Sequence, residues 1–98
     1  MSEVEIEEVG INSVGHLFVR PPATEDFTFI WRDASGVRWN EKSHSLVAYE
    51  PHRWEHLALF QQMITAVKSE YGRCLVVGPD TRWSNIPSEL RSHIEHAA

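Results

Sequence analysis

The tract His52-Arg53-Trp54-Glu55-His56 holds the residues whose types and spacing could do chemistry in this chain. Two histidines four apart on a helix share one face, and Glu55 lies beside them. Neutral imidazole nitrogens ligate zinc, and a neighbouring carboxylate can polarise a metal-bound water into a nucleophile. Such a site needs a third protein ligand and an open coordination position. Glu70, Glu89 and Glu95 lie downstream, but none sits in a second ligand motif. His52 would also fall in the first helical turn, where the positive dipole end favours neutral imidazole but repels a dication.

The order H-x-x-E-H resembles the inverted zincins over these five positions and no others. That resemblance implies His52 and His56 as metal ligands and Glu55 as the base of a zinc-dependent hydrolase. The residues read more simply as a helix start. Pro51 suits the first turn, Glu50 before it is pushed to extended geometry, and Trp54 begins an apolar stripe. No catalytic residue and no cofactor is assigned, and zinc hydrolysis is the last of three readings.

Other polar candidates are weaker. Glu89, His93 and His96 share one stripe of the final helix, as a solvated face does, or a metal site shared with a partner. Asp80 follows an apolar strand and precedes a helix, a loop position where sites gather, and Arg82 and Trp83 could line a small pocket with it. Gly78-Pro79-Asp80 is also an ordinary turn. The single cysteine, Cys74, rules out an internal disulfide and is expected to be a buried, inert thiol.

The aromatic residues carry more of the functional argument. Phe27, Phe29, Trp31, Trp39, Trp54 and Phe60 are more than one long helix can cover, and leftover aromatics serve self-association or an apolar ligand. Phe29, Trp31, Trp39, Trp54, Asp80 and Trp83 are therefore the ligand or interface candidates.

These side chains must be positioned by a small domain. The chain has 98 residues, 42% hydrophobic and 23% charged, enough for one core and one domain spanning 1–98. Its formal net charge is -5, and its basic residues are scattered, so the electrostatic footprint of nucleic-acid binding is missing. The acidic run Glu3, Glu5, Glu7 and Glu8 reads as a solvated strand face. No apolar run suits a membrane span or a signal sequence, which points to a bacterial-type cytoplasmic protein.

Val4 and Ile6 alternate with glutamates, and Gly10 and Gly15 flank a turn. His16–Arg20 forms the next strand and stops at Pro21-Pro22. Phe27–Arg32 alternates strictly and leads through Asp33-Ala34-Ser35-Gly36 into Val37–Asn40. That spacing predicts a hairpin with Gly36 left-handed, Trp31 opposite Trp39, and Phe27 and Phe29 on the same face. A strand over Ser45–Tyr49 completes a four-strand meander.

Helical spacing then runs through Trp54, Leu57, Ala58, Phe60, Met63, Ile64, Val67 and Tyr71, with Gly72 as terminator. Cys74–Val77 is an apolar strand. A final helix is capped by Asn85, with Pro87 in its first turn and Ile86, Leu90, Ile94 and Ala97 on one side. The expected fold is α+β: a mainly antiparallel sheet, then helix-strand-helix, with the long helix packed on the aromatic face.

The leading functional reading is a non-enzymatic binding or interaction domain that forms a homodimer. The alternative is a small-molecule-binding protein with an apolar aromatic pocket.

Overall fold

The computed structural model describes residues 2–30, 36–49 and 56–97. Among them lie seven strands and two helices, an α+β fold with helices packed on a sheet. The strands are β1 (Ser2–Glu5), β2 (Glu8–Ile11), β3 (Leu17–Arg20), β4 (Val37–Asn40), β5 (Ser45–Ala48), β6 (Arg73–Val76) and β7 (Arg82–Ser84). The helices are α1 (His56–Tyr71) and α2 (Ser88–Ala97).

A five-stranded sheet has the order β4-β5-β3-β2-β7, and β1 pairs separately with β6. The pairs β2–β3, β3–β5 and β4–β5 are antiparallel, while β1–β6 and β2–β7 are parallel. The expected meander is thus rearranged, because β5 sits between β3 and β4.

The two parallel pairs form one structural unit. Residues 2–11 run through both sheets, and residues 73–84 track them as neighbour. The ladder continues past β1 as the Ile6 amide donates to the Val76 carbonyl at 2.8 Å. It resumes where the Arg82 amide donates to the Glu7 carbonyl at 2.9 Å. Between these points, residues 77–81 lie opposite only Ile6 and Glu7, so the second segment must loop outward. Gly78-Pro79-Asp80 makes that loop. The Thr81 amide donates to the Gly78 carbonyl at 3.2 Å, and the buried Thr81 hydroxyl donates to the Ile6 carbonyl at 2.6 Å.

Strand register decides which side chains enter the core. Val9, Val19, Leu46 and Trp39 are successive cross-strand partners and share the inner face with Trp83. Gly10 and Phe18 pair on the outer face, where a Cβ at Gly10 would run into the Phe18 ring. A larger residue there would displace the aromatic ring, so glycine is set by packing rather than by turn geometry.

α1 buries Leu59, Phe60, Met63, Ala66 and Val67, a three-and-four spacing that puts one stripe against the sheet. Each large side chain so buried contributes about 1.5–3 kcal/mol. The helix ends as its sequence requires. Gly72 takes φ 64°, and its amide donates to the Lys68 carbonyl at 3.0 Å. α2 adds Ile94 to the core, with Leu90 and Ile86 packed at its margin.

Two expectations fail here for local reasons. Residues 27–30 are not a strand: the Ile30 amide donates to the Phe27 carbonyl at 3.0 Å, folding the segment into a tight turn. Asp26 starts it, since its carboxylate accepts from the Thr28 amide at 3.0 Å and also from the Thr28 hydroxyl. Phe27 and Ile30 are buried, so the segment buries at spacing three, not two, and Phe29 faces away from Phe27 rather than beside it. β4 pairs with β5, and residues 27–30 do not pair with it; the rest of the expected strand, 31–32, lies outside the described residues.

Asn85 does not cap α2. It sits at φ 58° and its side-chain amide donates to the Ile11 carbonyl at 3.2 Å. Pro87 is the cap residue instead, its carbonyl accepting from the Arg91 amide at 2.9 Å.

Candidate functional site

The aromatic corner gathers on the inner face around α1. Trp39 is half-buried. Its ring meets Phe27 edge-on at 5.8 Å and His44 at 4.9 Å. Phe27 in turn meets Tyr71 of α1 at 5.0 Å. His44 reaches its place by adopting φ 52°, a conformation uncommon outside glycine and asparagine. Trp39, expected as an interface residue, is therefore mostly committed to the core.

Phe29 is the exception in this corner. Its side chain is 60% exposed while Phe27 and Ile30 on either side are 1% and 0% exposed. Its backbone is nonetheless held, the Phe29 amide donating to the Tyr71 hydroxyl at 3.1 Å. The Phe29 ring thus stands at the rim of a packed cluster, largely exposed. Trp31 and Trp54, expected beside it, lie outside the described residues.

Asp80 and Trp83 are not brought together in a pocket. Asp80 is exposed, and its amide donates to the Glu5 carboxylate at 3.1 Å. Arg82 turns to the glutamates, reaching Glu7 at 3.2 Å and Glu8 at 3.7 Å. Glu8 also bonds Arg20 and Ser84, so this charged row closes on itself. Trp83 belongs to β7, pairs with Val9, and carries the Arg91 guanidinium over its ring at 4.8 Å. A cavity of about 190 Å³ does border Asp80, with Glu5, Ile6, Glu7 and Pro22.

Of the metal candidates, His52 and Glu55 lie outside the described residues. His56 is the first residue of α1, and its Nε2 contacts the Gly15 carbonyl at 3.3 Å. Among the described residues no group of three His, Cys, Asp or Glu side chains could hold a metal ion. His96 Nδ1 contacts the Ser92 carbonyl at 2.7 Å and is thereby taken up by its own helix. Cys74, expected to be buried, is half-buried on β6.

A larger cleft was not anticipated. It measures about 390 Å³ and lies where the starts of α1 and α2 meet, lined by His56, Leu57, Pro87, Glu89, Leu90 and His93. The Glu89–His93 spacing on α2 is the sequence signal that could have located one wall. The opposite wall comes from a segment more than thirty positions earlier and has no local signature. Neither this cleft nor the smaller one is lined by Phe, Tyr or Trp.

Residues 4–81 match a family model described as Integron Cassette Protein Hfx_Cass5. The chain is also similar to a solved structure from the mobile metagenome of the North West Arm sewage outfall, the integron cassette protein Hfx_Cass5. The two are 38% identical over 99% of this chain and 96% of that one, with a TM-score of 0.49. No curated protein matches the chain. No helix among the described residues is long and apolar enough to cross a membrane.

Proposed function

The chain belongs to the integron cassette protein family Hfx_Cass5, and from that premise we propose that it is a non-enzymatic binding domain that self-associates through Phe29. The observation that carries this reading is the contrast within residues 27–30: two side chains are fully packed and the aromatic one between them is 60% exposed. An exposed phenylalanine on a held backbone loses little conformational freedom when a partner covers it, so its burial contributes nearly its full transfer energy. In a two-fold dimer the same patch serves both copies, and one exposed ring on each side doubles the apolar area removed from water.

The reading as an apolar aromatic pocket draws no support from the two cavities described above, whose linings among the described residues lack Phe, Tyr and Trp. Aromatic side chains instead pack on one another, as Trp39, Phe27 and Tyr71 do.

Static light scattering of the untagged protein across a concentration series tests the proposal. A dimer mass that falls to the monomer mass in Phe29→Ala supports it. A strict monomer at every concentration overturns it, as does a dimer that Phe29→Ala leaves intact.

A further inference from the structure

The cleft between the helix starts offers a second kind of contact, independent of self-association. Its polar lining is rich in acceptors. A carbonyl oxygen can only accept, so in the 3.3 Å contact to Gly15 the His56 Nε2 is the donor. The Glu89 and His93 side chains make no hydrogen bond or ion pair with any described residue. Elsewhere Glu7, Glu8, Glu25 and Glu95 are all matched by arginines. Among the described residues no lysine or arginine lines the cleft.

The rest of the lining is apolar, with Leu57 and Leu90 half-buried on facing helices and Pro87 at the rim. Acceptors with one negative charge beside an aliphatic floor complement a donor-bearing cation on a short hydrocarbon body. A bare metal ion is a poorer match, because the described side chains form no metal-holding group. A volume of about 390 Å³ lies at the lower end of small-molecule sites and suits a compact ligand.

We propose that this cleft binds a small amphipathic amine, an alkyl- or arylalkylammonium whose head meets Glu89 and whose body lies on Leu57 and Leu90. Glu89 supplies the charge. The leucines exclude compact hydrophilic cations.

Ligand-observed NMR titration of the full chain in the presence of EDTA tests this with three probes of similar shape: phenethylamine, phenethyl alcohol and phenylacetate. Saturable binding of the amine, weaker binding of the alcohol and none of the carboxylate is expected. Glu89→Gln, an exposed position that leaves the core alone, should weaken the amine about five-fold, the range of a solvent-accessible ion pair. Leu90→Ser should weaken amine and alcohol alike. No saturable amine binding, equal binding of phenylacetate, or an unchanged amine affinity in Glu89→Gln would each overturn the proposal.

Discussion

The paired segments 2–11 and 73–84 and the aromatic corner around Phe27 are held together in different ways, and the difference decides which groups each leaves uncovered. The paired segments are joined by a backbone ladder, and the polar side chains along it are satisfied by backbone groups or side chains of the facing segment. Thr81 bonds Ile6, Asp80 bonds Glu5, and Arg82 spans Glu7 and Glu8. Hydrogen bonds are directional and saturable, so each such pair withdraws two groups from outside chemistry. The aromatic corner is held by ring contacts, which have neither limit, plus one amide-to-hydroxyl bond. Apolar packing continues to an edge and leaves a surface there, and that edge is Phe29.

The ranking of the two regions can be broken at their centres. Phe27 is buried and touches both Trp39 and Tyr71, so Phe27→Ala leaves a cavity and should cost about 3–5 kcal/mol in urea unfolding. In the paired segments the matching change is Thr81→Val, which keeps the shape but leaves the Ile6 carbonyl without its donor. A buried unsatisfied acceptor costs about 1–3 kcal/mol. If Thr81→Val proved the more damaging of the two, the polar clasp, not the aromatic cluster, would be the stronger tie.

The two regions also differ in how legible they are from sequence. The aromatic corner was visible as composition, and its parts β4, β5 and α1 follow from alternation, a left-handed Gly36 at φ 77°, and the Gly72 terminator. Its one error was local. Strict alternation over 27–30 suggested a strand, but Asp26 placed two residues before Thr28 closes a turn that overrides it. Phe29 thus stands at the surface, although alternation puts it on the same face as Phe27.

The pairing of 2–11 with 73–84 had no such trace. Its partners are about seventy positions apart, and β7 is only three residues long, too short for any periodicity to register. Asp80 consequently read as a loop before a helix when it lies in an excursion between two strands. The helix cleft was hidden for the same reason: each wall is an ordinary helix face until the fold opposes them.

A milder change sharpens the contrast at the rim. Tyr71→Phe keeps the ring against Phe27 but removes the acceptor for the Phe29 amide. Because that amide lies near solvent, water replaces the lost partner, and the cost should fall near the lower end of about 0.5–1.5 kcal/mol. Faster hydrogen exchange at the Phe29 amide, with other amides of the aromatic corner unchanged, is the expected signature. Unchanged exchange there would mean that packing alone holds the segment.

The smallest stability effect is expected at Phe29 itself, where the functional effect should be largest. A side chain 60% exposed contributes little to its own fold, so Phe29→Ala should change monomer stability by less than about 0.5 kcal/mol. Each copy of a dimer would bury that ring, and covering the exposed 60% of a phenylalanine is worth about 1–2 kcal/mol per side. Two copies contribute twice, so loss of both rings should weaken association by about thirty-fold or more. Unfolding must therefore be measured at high dilution, where only the monomer is present, and association at high concentration. A variant that unfolds early even when dilute would place Phe29 in the core's service and return the aromatic corner to ordinary packing.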